Sequence, residues 1–383
     1  MNNRERTLAV LNYQPYDRLP LVHFGYWNEL LDKWADEGHI KIEESRAWSD
    51  GNVVDADLSM RLGFDFNWSQ NFGWQTRLFP PFEKRVIEER PDGMRMVFNE
   101  DGGYVMEKAG VVSIPMEVDH LLKGRKEWDE IFKPRLKFDP QRFNRTVVTI
   151  DGVSKRFDSG GLDLLLSERQ QPYGLYCGGL LGVIRDWLGL VGMSYLMADD
   201  ALLFDEIIAT VAELSYQGTK AILETGVRFD FAHFWEDIAY KSGPLINPKL
   251  FYNKIGPQYR RITDLLRSYG VTLVSLDCDG KIDALIPTWI ENGVNIMFPI
   301  EVGTWNANLA PWRERYGREL RGVGGVNKHI FGLDRNAIDR EIERIQPLVE
   351  LGGYIPCPDH RLPIEAGWEN VQYYCDAMRK QFE

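Results

Sequence analysis

The stretch VTLVSLDCDGKIDALIPTWIENGVNIMFPIEVG, residues 271–303, decides how the chain is read. It contains two apolar runs of strand length, Val271 to Leu276 and Asn295 to Pro299. Each stops abruptly in acid and glycine, at Asp277-Cys278-Asp279-Gly280 and at Ile300-Glu301-Val302-Gly303. Between them, Ile282 to Asn292 reads as a short helix. Asp279 and Glu301 therefore stand one strand–helix unit apart, 22 positions along the chain.

The same unit recurs on both sides. Further strands are expected at Leu19 to His23, Gly63 to Trp68, Tyr173 to Cys177, Phe229 to Trp235, Leu320 to Gly324 and Gly353 to Pro356. Helices are expected over Pro248 to Tyr269, with proline in the first turn, and over Arg335 to Leu351, ended by Gly352-Gly353. Eight such runs joined by crossovers predict an α/β chain folded as a (β/α)8 TIM barrel. Residues 1–383 read as one domain, with an insertion over about 80–165 between the second and third strands. There, Lys84 to Glu89, Met94 to Asn99 and Tyr104 to Lys108 alternate and are punctuated by Asp92-Gly93 and Asp101-Gly102-Gly103, which predicts β-hairpins.

Charge narrows the partners. With 45 Lys+Arg against 57 Asp+Glu and a formal charge of -12, no general surface for nucleic acid is expected. Cys177, Cys278, Cys357 and Cys375 show no paired spacing and no leader-like segment opens the sequence, so a reducing cytoplasmic setting is expected. The longest apolar stretch, Tyr173 to Met197, is broken by Arg185 and Asp186, so no membrane span is expected. Neither a dinucleotide fingerprint nor a serine nucleophile elbow is present.

In a barrel the chemistry collects where strands end. Asp277 and Asp279 alternate onto one side, and like charges so close call for a cation, a shared proton or a basic partner. The competing reading has one of them capping the next helix and the other solvated. Glu301 faces the same mouth or pairs with an arginine. After the last strand, Cys357 and His360 offer a thiol and an imidazole, against a buried inert thiol and a loop hydrogen bond. His233, Glu236 and Asp237, with Tyr240 and Lys241 beyond, suit proton handling and substrate contact, or a capped loop with Lys241 as counterion. Two carboxylates, a histidine and a cysteine are ligand types for catalytic Zn2+, while Mg2+ or no metal stay open. Phe24, Trp27, Phe72 and Trp74 read as a stacking surface for substrate or as rim packing.

Three stretches, Arg4-Glu5-Arg6 to Asp17-Arg18-Leu19-Pro20, Ser242-Gly243-Pro244-Leu245-Ile246-Asn247-Pro248 to Phe251, and Gly324-Gly325, together resemble the uroporphyrinogen decarboxylase superfamily. The resemblance runs over nearly the whole chain. It implies a (β/α)8 barrel, a homodimer, and one of two activities, decarboxylation or zinc-dependent methyl transfer serving corrinoid proteins, coenzyme M or homocysteine. Decarboxylases of this kind carry an arginine-bearing motif where this chain has Val22-His23-Phe24-Gly25-Tyr26-Trp27, which disfavours uroporphyrinogen as substrate. The methyltransferase zinc ligands correspond to Asp277 and Asp279, Glu301, and Cys357 or His360, so both members of a His-x-Cys pair have become aspartate. The chain looks like the O-demethylase branch. The resemblance then implies Zn2+ on Asp279, Glu301 and His360, with Asp277 and Cys357 in reserve, and a corrinoid protein accepting a methyl group from a methoxylated compound. His233, Glu236 or Tyr240 would handle the proton, and Phe24, Trp27, Trp74, Asp237 and Lys241 would contact substrate. A metal-free decarboxylase gripping carboxylates through Lys241, Lys328 and Arg361 is the alternative, and a non-enzymatic corrinoid or tetrapyrrole carrier is the third reading.

Overall fold

A computed structural model describes residues 1–108 and 115–382. The apolar run that ends in Asp277 forms a strand, Val274–Asp277, whose first three residues are buried; so is every residue of the next strand, Ile296–Ile300. Burial on both faces is what a parallel sheet covered by helices requires. In chain order the parallel strands are β1 (Val22–His23), β2 (Phe66–Asn67), β3 (Asn71–Phe72), β4 (Gly174–Gly178), β5 (Phe231–Trp235), β6 (Val274–Asp277), β7 (Ile296–Ile300), β8 (Arg321–Val326) and β9 (Tyr354–Pro358). A strand lies on each of the eight expected runs.

The ladder is a seven-stranded parallel sheet, β9-β8-β7-β6-β5-β4-β3, plus a separate parallel pair, β1-β2. The break has a local cause. The Asn67 side chain accepts the Ser69 amide, and the Gln70 amide bonds to the Asn67 carbonyl, so the chain turns between β2 and β3. On the other side β1 continues to Tyr26, which bridges in parallel to Leu362, just beyond β9. Both sheets face one interior. Trp68, fully buried, stacks on Phe231 at 4.7 Å and its indole N–H meets Ser275 Oγ at 3.3 Å, while Phe24 packs edge-on to Phe298 at 4.5 Å.

The expected helix over 248–269 is two helices, Pro248–Lys254 and Gly256–Ser268. Pro257 has no N–H to give and its ring crowds the carbonyl four residues earlier, so one helix cannot run through. Asn247 caps the first of them through the amides of Lys249 and Leu250. The second buries Tyr259, Ile262, Thr263 and Leu266, a single stripe against the sheet. The stretch expected as a helix from Ile282 is helical only over Ile286–Glu291.

Between β3 and β4 lies a four-stranded antiparallel sheet, Arg85–Glu89, Met94–Phe98, Gly103–Lys108 and Met116–His120 in sequential order. Residues 109–114 of the expected 80–165 insertion lie outside the described residues. A further hairpin, Val147–Ile150 with Val153–Arg156, was not singled out in the sequence reading. Its signal was present: Asp151-Gly152 after the run Val147 to Ile150, both with positive φ (48° and 79°), is a two-residue hairpin turn. No single helix among the described residues is long and apolar enough to cross a membrane.

Candidate active site

Side chains at the ends of β5, β6, β7 and β9 converge. His360 Nε2 lies 3.3 Å from Asp279 Oδ2. Asp277 feels the charges of Asp279, Asp237, Arg361 and Glu301, and Asp237 those of Asp279 and His360. A cavity of about 380 Å³ opens here, lined by Asn71, Gly73, Arg77, Tyr176, His233, Trp235 and Asp277. On one side the rings of Trp27 (5.5 Å, stacked) and Phe24 (5.4 Å) pack on His360.

The acids divide into two kinds. Glu236, fully buried at the end of β5, accepts the amides of Leu180, Leu181 and Gly182 in the loop after β4, at 2.6 to 2.8 Å, and the Tyr259 hydroxyl. Glu301, after β7, accepts the Gly280 amide in the loop after β6 (2.5 Å) and the Thr304 hydroxyl (2.8 Å). Asp359, after β9, accepts the amides of Gly303 (2.5 Å) and Lys328 (2.9 Å), from the loops after β7 and β8. These carboxyls staple one strand-end loop to its neighbour, satisfying buried N–H groups that have no ladder partner. Asp237, Asp277 and Asp279 make no such bonds. Asp279 even keeps a buried Oδ1 without any hydrogen-bond partner, as does Nδ1 of His233.

Burial and crowding set the protonation. Burial, then the Asp279 carboxylate, pushes Asp237 up to about 6. Burial, then Asp279 and Asp237, holds Asp277 well above the usual carboxylate range, and burial with Asp279 raises Glu301. Burial alone pushes His233 down to about 4, so its imidazole is neutral at pH 7. Because the folded pKa of Asp237 lies above its unfolded value, the fold holds that proton more tightly, and its stabilising effect is present below about pH 4 and lost as pH rises to about 6. Urea titration of wild type and Asp237→Asn is therefore expected to show the wild type losing ground to the variant between pH 4 and pH 6.5. A gap that stays constant over that range would contradict the assignment. Asn suits this position, since residue 237 has φ 58°.

The guanidiniums around the mouth are paired. Arg361 bonds to Asp50 (2.5 Å), Arg77 to Asp101 (2.9 Å) and Asp186 (2.8 Å), and Arg185 to Asp186 (2.8 Å) and more loosely to Asp237 (3.8 Å). Burial opposes the charge of Arg77, but Asp101 and Asp186 outweigh it and raise its pKa.

Several expected roles are corrected by these positions. Glu236 is enclosed by four donors and open to no substrate. Trp74, 3 % exposed, gives its N–H to the Tyr176 carbonyl at 2.9 Å, and Phe72 is fully buried, so both are core. Tyr240 and Lys241 lie on a small exposed hairpin beyond β5, outside the cavity lining. Cys357 is fully buried, its thiol raised by burial and then by Asp359, so it offers no thiolate. The expected Zn2+ donors do not fit an ion: among the described residues no three His, Cys, Asp or Glu side chains close on one point. Asp279, His360, Asp277, Asp237, His233, Phe24 and Trp27 do come together. Tyr176, Arg77, Asp50 and Asp359 escaped the sequence reading; of these only Asp359 carried a signal, as an acid just past a strand.

No family model matches the chain, and no curated protein matches it in sequence. Among solved structures, a methyltransferase from Methanosarcina mazei aligns over 100 % of this chain and 99 % of its own, with 15 % identity and a TM-score of 0.59. The chain has the fold of that methyltransferase. A protein described as a vitamin-B12 independent methionine synthase, from Listeria monocytogenes, aligns over 96 % of this chain and 98 % of its own at 12 % identity and a TM-score of 0.44. At such identities the likeness establishes a fold; what the mouth does must be argued from its residues.

Proposed function

We propose that this protein is a methyltransferase that moves a methyl group from a small methylated compound to the corrinoid of a separate protein. The observation that carries the reading is the set of carboxyls left free at the mouth. Asp237, Asp277 and Asp279 serve no loop amide, and Asp277, on which the other two act, lines with the neutral His233 a cavity sized for a small molecule. The shared fold with a methyltransferase supports it. We read the two sheets as the eight-stranded barrel of that fold, with β2 and β3 as one interrupted strand.

The chain's own residues supply binding and proton control. Trp27, Phe24 and Trp235 wall the mouth against water. When the methyl group leaves, the bond's electron pair stays on the heteroatom. Where that atom is an ether oxygen, Asp277, held protonated by burial and by its acidic neighbours, lines the cavity where it would give the oxygen a proton. His360 holds the orientation of Asp279. A decarboxylase gripping a multiply charged anion would need free cations, but Arg361 is bound to Asp50 and neither Lys241 nor Lys328 lines the cavity.

The test is a donor panel, comprising methoxylated compounds, methylated amines and methylated sulfur compounds, incubated with the protein and a reduced corrinoid protein while the cobalt spectrum is followed. Methylation of the cobalt with at least one donor is the expected result. Silence across the panel, with carbon dioxide released from a carboxylated substrate, would favour the decarboxylase.

A further inference from the structure

The geometry points to a cationic methyl donor, a methylated ammonium or sulfonium, as the substrate class of this mouth: Asp237, Asp277 and Asp279 gather near aromatic rings, and the guanidiniums that reach Asp237 and Asp277 are shared with other carboxylates. The inference rests on the methyl-transfer reading and narrows its donor.

The charge argument comes first. Arg77 is held by Asp101 and Asp186, Arg361 by Asp50, and Arg185 is divided between Asp186 (2.8 Å) and Asp237 (3.8 Å), so carboxylates outnumber guanidiniums around the mouth. Buried like charges are tolerated only if protonated or joined by a cation, and here Arg185 and His360 answer Asp237 and Asp279 only in part. A ligand cation would answer both the crowding and the orphaned Asp279 Oδ1. Aromatic surface comes second. Trp235 lines the cavity and already carries the Arg77 guanidinium over its ring at 5.3 Å, so its face accepts cations. Trp27 and Phe24 flank His360 on the Asp279 side. Methylated ammonium groups are recognised by acids and aromatic faces together, because their charge is spread over methyl groups that give no strong hydrogen bond.

An independent mark of a ligand is His233. It is 5 % exposed, lines the same cavity, and its Nδ1 has no hydrogen-bond partner. A neutral imidazole that the protein leaves unmet is a place for the polar end of a small molecule.

The chemistry balances without a metal. The carbon–nitrogen or carbon–sulfur bond breaks, its electron pair remains on the nitrogen or sulfur, and the leaving group departs as a neutral amine or sulfide. The reduced corrinoid of the partner supplies the electron pair of the new carbon–cobalt bond. Neither a proton donor nor a Lewis acid is required, in keeping with donors that do not fit an ion.

Calorimetric titration of the full chain with tetramethylammonium, choline and 3,3-dimethyl-1-butanol, the neutral carbon isostere of choline, tests this. Choline is expected to bind at least about tenfold more tightly than the alcohol. Trp27→Leu and Asp237→Asn should each weaken choline several-fold and leave the alcohol unchanged. Equal affinity of choline and the alcohol, no binding of either cation at millimolar concentration, or indifference of both variants would overturn it. If methyl ethers methylate the corrinoid while the cations neither bind nor react, the cationic donor falls and methyl transfer stands. If the cations bind with the expected variant effects but no donor methylates any corrinoid, the binding site stands and methyl transfer falls.

Discussion

Replacing Asp279 by Asn is expected to lower kcat/KM for methyl transfer by about a hundredfold or more while the protein stays folded, the scale of losing one charged group at a reacting centre. The amide keeps the size of the carboxyl and removes its charge. Asp279 supports no backbone amide, so the change leaves no stranded N–H. Its two oxygens are spoken for differently, one by His360 at 3.3 Å and the other by nothing in the protein. Removing the charge also eases repulsion on Asp237 and Asp277, so the urea midpoint should hold or rise. The check is the initial rate with the donor that the panel identifies, alongside a denaturation curve. A variant as fast as wild type would remove Asp279 from the reaction.

Glu236→Ala is expected to do the reverse, destabilising the fold by roughly 3 to 5 kcal/mol, since it strands several buried donors at once. The carboxyl joins the start of the helix Gly182–Asp199 to the end of β5 and to Tyr259 on the helix Gly256–Ser268. The approach is close enough that a Cβ on Gly182 would collide with the Glu236 carbonyl, so the loop cannot slide to repair the loss. Urea denaturation of the variant measures the effect. A loss under 1 kcal/mol would show that water replaces the carboxyl, and that the staple is ornamental. The contrast between these two acids separates a group that serves the reaction from one that serves the scaffold.

Much of the frame was legible in the chain. A covered parallel strand must be apolar on both faces and must stop where its loop meets water, so runs such as 271–276 announce themselves and end where the acids begin. The Asp-Gly turns of the antiparallel segment were equally local signals. Roles at the mouth were not legible. Glu236, Asp237, Asp279, Glu301 and Asp359 are all acids just past a strand, and nothing local says which meets a neighbouring loop's amides and which is left open. Asp50 and Arg361, paired at 2.5 Å, stand 311 residues apart, and Trp74 entered the core instead of the rim. Sequence alone determined where the strands lie and that carboxyls gather at their ends, because both depend on the burial pattern of consecutive residues. Only tertiary structure decided which carboxyls remain free for chemistry, because a side chain's partner is set by the register between strands distant in sequence, which brings one loop's unmet N–H groups against another loop's acid.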